Sequence, residues 1–136
     1  MTELTPSIRA FLAEPRVGVL ATVDPDGSPH QTVMWYLLDG GEILFNTARG
    51  RRKPDNLARD PRVSLMVEDS YRFVRVTGQV REIADRETAQ ADIHRLAVRY
   101  QGAEAAERAM TRFSKQERVS YRFRIRGVYA SDDSLR

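Results

Sequence analysis

Short apolar runs rich in β-branched residues, separated by turn-forming Gly, Pro and Asp, dominate the first 83 residues of the chain. Such runs predict strands, because extended backbone accommodates branched side chains well. Turns at 24–27 (Asp-Pro-Asp-Gly) and 39–41 (Asp-Gly-Gly) are expected to join the first three strands into a meander. The segments predicted as strands are residues 16–23, 29–38, 42–47, 62–68 and 71–83.

Helical spacing, with apolar residues three and four positions apart, occurs in other parts of the chain. Residues 4–13 are expected to form a short helix capped by Thr5, with a proline in its first turn. Residues 50–59 form a basic segment that is compatible with a helix. Residues 85–113 carry an apolar stripe that breaks near Gly102, which predicts two consecutive helices.

The chain closes with a period-two pattern in which Tyr121, Phe123 and Ile125 alternate with arginines. This alternation predicts a last strand with one face buried and the other facing solvent or a partner. We therefore expect a mainly β protein with short helices (α+β), built as a six-stranded antiparallel barrel in a single domain spanning residues 1–136. The tail, residues 131–136, is expected to be frayed.

Composition narrows the classes of function. The chain has no cysteine, which excludes disulfides, thiolate metal sites and a thiol nucleophile. Its two histidines are far apart, so we expect no metal site at a familiar ligand spacing. No apolar run reaches the length of a signal peptide core or a membrane span, and we expect a cytoplasmic protein with no membrane partner. The net charge of +3 is too small to indicate a polyanionic partner.

One segment places positive charges where a helix should disfavour them. Arg49, Arg51, Arg52 and Lys53 follow a predicted strand and surround the predicted start of a helix. A helix N-terminus carries the positive end of the helix dipole, so each cation there costs roughly 0.3–1 kcal/mol. A bound phosphate would resolve the conflict, because it accepts hydrogen bonds from the free backbone N–H groups and from the guanidinium groups.

Two neighbouring residues could complete such a site. Thr47 could add a hydroxyl donor, and Asn56 lies on the same helix face as Lys53. The basic segment could equally be a solvated turn that forms salt bridges with Asp55, Asp60 or Glu68. Contact with nucleic-acid phosphates is a third interpretation, but no aromatic residue for base stacking lies between Thr47 and Met66.

Three segments in fixed order carry a resemblance to a known family. They read VGVLATVDPDGSPHQTVMWY, then ILFNTARGRRKPDNLARDPRVSLMVED, then VRVTGQVREI. This order resembles the flavin-binding split barrels related to pyridoxamine 5'-phosphate oxidase, and is most similar to their short branch that uses the deazaflavin coenzyme F420. The resemblance implies a six-stranded split β-barrel homodimer with two cofactors bound across the subunit interface.

The resemblance also implies which residues contact the cofactor. The residues beside the ring system would be Thr32, Val33, Met34 and Trp35, with Asn46 and Thr47 at the end of the next strand. Arg52 and Lys53 match the basic pair on the phosphate, and Asn56 matches the asparagine that follows. Arg49 and Arg51 are more cations than one phosphate requires, and they suit a cofactor with a longer anionic tail. Arg75 and Phe73 fall on the next barrel strand, where flavin-using relatives have a polar contact with the cofactor.

The function implied is hydride transfer between reduced F420 and a small planar or conjugated substrate. Vitamin B6 oxidation is not expected, because Thr32 replaces a phosphate-binding arginine and the chain lacks the oxidase's C-terminal tryptophan and arginine. An FMN enzyme or FMN-binding protein of the same fold, or a carrier without turnover, are the alternatives. No residue is assigned as catalytic, although His30 and Tyr36 flank the proposed ring-binding strand.

Overall fold

The computed structural model describes residues 4–136, which form an antiparallel sheet, four α-helices and a short 3-10 helix. The strands are β1 (Gly18–Val23), β2 (Pro29–Met34), β3 (Leu37–Asp39), β4 (Glu42–Ala48), β5 (Arg62–Asp69), β6 (Arg72–Ile83) and β7 (Arg118–Ala130). The helices are α1 (Pro6–Ala13), α2 (Arg52–Arg59), α3 (Arg86–Gln101) and α4 (Ala103–Phe113), and the 3-10 helix is Asp133–Leu135.

The strands follow the order β2-β1-β5-β6-β7-β4-β3, with every neighbouring pair antiparallel. The sheet is a half-barrel with the main hydrophobic core along its inner face. The two long strands β6 and β7 bend at a register shift between Thr77 and Gly78. Only glycine fits at this bend, because a Cβ on Gly78 would lie 2.0 Å from the carbonyl oxygen of Arg124.

The sheet of the described residues has seven strands, so the expectation of six was wrong. The predicted strand 29–38 divides into β2, which pairs with β1, and β3, which pairs with β4. Side chains from α3 satisfy the backbone of Tyr36 at the break: its N–H donates to Tyr100 Oη (3.2 Å), and its carbonyl accepts from Arg99 Nε (3.1 Å). The backbone N–H and C=O of Tyr36, which lies between β2 and β3, therefore both have hydrogen-bond partners.

The predicted helices form close to their expected positions. Thr5 caps α1 by accepting from the N–H of Ile8 (3.2 Å), as the sequence suggested. Asp85 caps α3, and Gly102 separates α3 from α4 with a φ of +89° that side-chain-bearing residues rarely adopt. The sequence prediction of a frayed tail was wrong, because Leu135 is buried in the main core and its carbonyl accepts from Thr5 Oγ1 (3.1 Å).

A second hydrophobic cluster lies outside the half-barrel. There α3 and α4 cover the face of β4 and β7 that is turned away from the main core, with Ile93, Leu96 and Phe113 among the buried residues. Burial of each such side chain stabilises the fold by roughly 1.5–3 kcal/mol relative to exposure. This packing fixes the helix pair over the sheet and leaves a cavity at its margin. Within residues 4–136, no helix has the length and apolar character needed to cross a membrane.

Candidate functional site

A cavity of about 300 Å³ opens beside the end of β2, between the start of α2 and the α3–α4 pair. Its lining combines two kinds of side chain. The apolar lining includes Val17, Val33, Trp35, Ile93, Leu96 and Phe113. The cationic lining consists of Arg51, Lys53, Arg112 and Arg118. A ligand that fills it would need an apolar part and an anionic part.

Among residues 4–136 the cationic lining has no carboxylate counterions. Within residues 4–136, none of these four side chains forms an ion pair with a carboxylate. Their sequence neighbours behave differently: Arg49 pairs with Glu82 (2.8 Å) and Arg52 lies 3.6 Å from Asp24. The structure thus divides the basic segment into two pairs, one neutralised by carboxylates and one, Arg51 with Lys53, turned toward the cavity.

Crowding of positive charge is visible in the pKa values. Burial, together with the nearby charges of Arg51 and Arg118, lowers the pKa of Lys53 to about 8. Burial likewise lowers the pKa of Arg118 to about 10, with contributions from Arg51 and Arg112. The positive form of each group is therefore less stable than in water, and an anion in the cavity would stabilise it.

Arg118 is held firmly although it is charged. Its Nε donates to Asn46 Oδ1 (2.9 Å) and its Nη1 donates to Gln116 Oε1 (2.7 Å). The Asn46 amide in turn donates to the carbonyl of Ala89 (2.9 Å) and to Ser120 Oγ (3.0 Å). Because Ala89 belongs to α3, this network ties the position of the guanidinium to the helix that covers the sheet.

The end of β2 supplies the aromatic part of the cavity. Trp35 stacks on Tyr100 of α3, with ring centroids 5.4 Å apart and planes within 6°. Met34 and Val33 also line the cavity, and the side chain of Val33 is 67% exposed. Thr32 does not line the cavity, but its Oγ1 is buried and has no hydrogen-bond partner among the described residues.

The cavity brings together Val33, Met34, Trp35, Asn46, Thr47, Arg51 and Lys53 of the residues expected from the sequence. Asn46 uses its side chain within the protein, and Thr47 is almost fully buried. Both therefore shape the wall more than they present free polar groups.

Other expected residues lie outside this cavity in the single chain. Asn56 is buried and donates to Thr22 Oγ1 (3.0 Å) and Asp24 Oδ1 (3.0 Å), so its amide secures α2 to β1. Arg49 and Arg52 are turned toward the carboxylates described above. Arg75 stacks over the ring of Tyr129, 5.1 Å from its centroid, on β6 and β7.

The two candidates for proton delivery also differ in availability. Tyr36 is fully buried, its hydroxyl donates to the carbonyl of Leu12 (2.8 Å), and burial raises its pKa well above the usual value. It therefore has no access to a substrate. His30 is partly buried, and its Nδ1 has no partner within the described residues.

Sequence reasoning missed two of the four cations. Arg112 lies in the last turn of α4 and Arg118 is the first residue of β7, whereas the predicted last strand was recognised only from position 121 onward. A usable signal was present: Arg118 has the same period-two phase as the arginines at 122, 124 and 126. Its proximity to Lys53, however, depends on the pairing of β4 with β7.

Comparison with known proteins places these features in a family. The family model described as pyridoxamine 5'-phosphate oxidase matches residues 4–132. A pyridoxine/pyridoxamine 5'-phosphate oxidase of Kineococcus radiotolerans is 33% identical over 84 residues, covering 60% of this chain and 38% of that protein. The corresponding oxidase of Aeromonas hydrophila is 37% identical over 84 residues, covering 60% and 40%. The matched region thus spans about two-fifths of the length of these relatives.

Solved structures match over nearly the whole chain. A conserved hypothetical protein from Mycobacterium tuberculosis has a TM-score of 0.81 and 30% identity, covering 99% of this chain and 91% of that one. A structure described as an F420 reductase has a TM-score of 0.73 and 29% identity, covering 89% and 94%. A heme storage protein from Vibrio cholerae, at a TM-score of 0.71 and 21% identity over 95% of each chain, shares the fold alone.

Proposed function

The chain belongs to the pyridoxamine 5'-phosphate oxidase family, and from that premise we propose that it is an F420-dependent oxidoreductase. In this proposal it transfers a hydride between reduced F420 and a small planar or conjugated organic substrate. The wider assignment, an oxidoreductase of the flavin or deazaflavin type, follows from the family and from the similarity to an F420 reductase. The alternative is an FMN-dependent enzyme or FMN-binding protein of the same fold.

The observation that carries the proposal is the union of four uncompensated cations with an apolar, aromatic wall in one cavity. A ring system joined to an acidic tail is the ligand chemistry that matches both parts. A solvated basic turn, the plainest alternative, does not account for a lysine that is buried enough to have its pKa lowered to about 8. The residues present therefore fit a flavin-type cofactor.

Within the cavity the residues have separate tasks. Arg51 and Lys53 would hold the first acidic group beside the start of α2, where the helix dipole and free N–H groups add to their charge. Trp35 and its neighbour Val33 would position the ring against the end of β2. When bound, the reduced ring supplies the hydride for the reaction.

The surrounding side chains would protect that chemistry from water. Ile93 and Leu96 are almost completely buried and present a hydrocarbon surface to the cavity. Within the described lining residues there is no carboxylate or imidazole, so the chain offers no general acid or base from the cavity wall itself. Binding, orientation and exclusion of water are then the contributions expected from this protein.

The number of cations favours F420 over FMN. A phosphate monoester carries a charge of about −1.5 to −2 near neutral pH, which neutralises no more than two of the four cations. A cofactor with additional acidic groups would neutralise the others. Phe73 on β6 points to the same choice, since the sequence resemblance places a polar contact of the flavin-using relatives at this position and phenylalanine cannot supply it.

We also propose that the active form is a homodimer. The side chains of Val17 and Val33 in the cavity lining are 50% and 67% exposed, so one side of the cavity is open to a second chain. Phe73, Arg75 and Tyr129 form a cluster on β6 and β7, outside the cavity of their own chain, in which Phe73 is partly buried and the other two are exposed. This cluster could complete the open side in a partner copy. Light scattering should give about twice the 15.5 kDa mass of one chain.

Titration of the purified protein with F420 and, separately, with FMN tests the assignment. Trp35 is the only tryptophan, so its emission reports on occupancy of this cavity. We expect quenching by F420 at lower concentration than by FMN. Oxidation of reduced F420 by a panel of planar acceptors, followed by absorbance, then separates an enzyme from a carrier. Tight FMN binding without F420 binding would overturn the assignment in favour of the alternative.

A further inference from the structure

Two of the four cavity cations remain unassigned once Arg51 and Lys53 hold an acidic group at α2. Arg112 and Arg118 come from a different part of the fold, the end of α4 and the start of β7. Neither forms an ion pair among residues 4–136, although both are close enough to interact electrostatically. Two positive side chains that lie close together without a carboxylate partner repel each other, and a bound anion would offset this repulsion.

Phe113 brings the two guanidinium groups together. The central carbon of Arg112 lies 4.8 Å from the centroid of the Phe113 ring, and that of Arg118 lies 4.9 Å from it. Cation–π attraction favours the position of each guanidinium beside the same ring. All three side chains line the cavity. The ring therefore acts as a platform that presents two positive groups to the same space.

Arg118 is built into the wall and is not free to move away. Its side chain belongs to a residue only 7% exposed, and its Nε and Nη1 are committed to Asn46 and Gln116. Within the described residues its Nη2 makes no hydrogen bond. This Nη2 group can therefore donate to an oxyanion in the cavity, while Nε and Nη1 hold the guanidinium in place.

We propose that Arg112, Phe113 and Arg118 form a second oxyanion subsite in this cavity. The ligand accordingly carries a second acidic group, a carboxylate or a phosphate, in addition to the one bound by Arg51 and Lys53. This inference rests on the proposed function only in taking the cavity as the ligand site. A second subsite explains why the four cations come from two separate places, the start of α2 and the α4–β7 connection. It also explains why there are more cations than one phosphate would need.

Binding of small anions to the protein without cofactor tests the subsite. The probes are inorganic phosphate, pyrophosphate and 3-phosphoglycerate, titrated by calorimetry at constant ionic strength. We expect at least one of the probes with two acidic groups to bind about tenfold more tightly than phosphate. Preference for pyrophosphate identifies a phosphate in the second subsite, and preference for 3-phosphoglycerate identifies a carboxylate. Equal affinity for all three probes would overturn the proposal.

The Arg112→Gln variant assigns the preference to this subsite. Arg112 is exposed, so the substitution should leave the fold intact, remove the preference and change phosphate affinity by less than about twofold. Arg108→Gln is the matched control, since it removes the same charge one turn earlier in α4, from a side chain that pairs with Glu104. A preference that survives in Arg112→Gln, or is lost equally in Arg108→Gln, contradicts the assignment.

Different results would exclude the second oxyanion subsite and the cofactor assignment. Loss of the two-group preference in Arg112→Gln, together with no binding of F420 or FMN, would retain the subsite and reject the cofactor assignment. Tight F420 binding that is unchanged in Arg112→Gln would retain the function and reject the subsite. Each result is read from a separate titration.

Discussion

Asn46 on β4 accepts a hydrogen bond from Arg118 on β7 at 2.9 Å and thereby fixes a charged group in the wall of the candidate site. The same amide donates to Ala89 on α3 and to Ser120 on β7. Ser120 completes the chain by donating to Asp92 Oδ2 (2.7 Å). Asn46 therefore connects the cavity to the covering helix as a positioning residue, a different role from the direct cofactor contact expected from the sequence.

Substitution of Asn46 by alanine should affect stability and anion binding together. It removes the hydrogen bonds that this amide makes with the Ala89 carbonyl, Ser120 Oγ and Arg118 Nε, so we expect the free energy of unfolding to fall by about 2–3 kcal/mol. Urea denaturation measures this loss. Sulfate affinity, measured by calorimetry on the folded variant, should fall about fivefold or more because the guanidinium is no longer held toward the cavity.

Asn56→Ala is the matched control for this variant. Asn56 is a buried amide that bonds to Thr22 and Asp24, outside the cavity. We expect a comparable loss of stability but unchanged sulfate affinity. If both variants weaken sulfate equally, Asn46 has no special connection to the anion site.

The two pairs of cations around α2 should have unequal importance for the cofactor. The double substitution Arg51→Gln and Lys53→Gln removes cavity charges and should weaken F420 binding about tenfold or more, equivalent to at least about 1.4 kcal/mol. Arg49→Gln with Arg52→Gln removes the same total charge from side chains that face carboxylates, and should change affinity less than about twofold. Equal weakening in both double variants would show that only the summed charge of the segment matters.

Much of the fold follows from local signals in the sequence. Caps and turn residues act within a few positions, so Thr5, the turn at 24–27 and the break at Gly102 were all recognisable. The division of the strand 29–38 was not, because it depends on Tyr100 and Arg99 reaching the backbone of Tyr36 from more than sixty positions away. Hydrogen bonds between residues that are distant in sequence cannot be predicted from the local pattern of residues.

The same limit applies to the site. The basic segment after β4 was visible because its cations are adjacent in sequence. Which of them stay unpaired depends on where Asp24 and Glu82 lie in the folded chain. The contribution of Arg118 depends on an interaction with Asn46 across 72 positions. Local charge patterns therefore indicated a candidate anion site, but only the assembled sheet shows which cations line the cavity.

The hydroxyl group of Tyr100 should be important for the strand break. Its Oη donates to the carbonyl of Arg16 (2.7 Å) and accepts from the N–H of Tyr36 (3.2 Å), so Tyr100→Phe leaves both backbone groups without this partner. We expect the free energy of unfolding in urea to fall by about 1–3 kcal/mol. Stacking on Trp35 does not need the hydroxyl, so the tryptophan emission should stay unchanged. Tyr71→Phe, at a side chain 94% exposed, serves as control and should have no effect. A Tyr100→Phe protein as stable as wild type would mean that other groups can satisfy the break.

Binding of anions should depend on pH through Lys53. Burial and two nearby arginines lower the pKa of Lys53 from 10.5 to about 8, so the free protein loses this charge as the pH rises through that value. The charge of sulfate is constant in this range, and its affinity should therefore fall about tenfold between roughly pH 7 and pH 9.5. Binding restores the proton, so calorimetry in buffers of different ionisation enthalpy should detect proton uptake above pH 8.

The same shift has a defined consequence for stability. Between about pH 8 and pH 10.5 the unfolded chain holds the Lys53 proton more firmly than the folded protein does, so this group makes the free energy of unfolding rise with pH in that window. Saturating sulfate should remove the rise. Up to about pH 9, where Arg118 is still charged, Lys53→Arg should show neither effect, whereas Lys115→Arg, at the only other lysine, should behave as wild type. Parallel loss of sulfate affinity with pH in wild type and Lys53→Arg would exclude Lys53 as the titrating group.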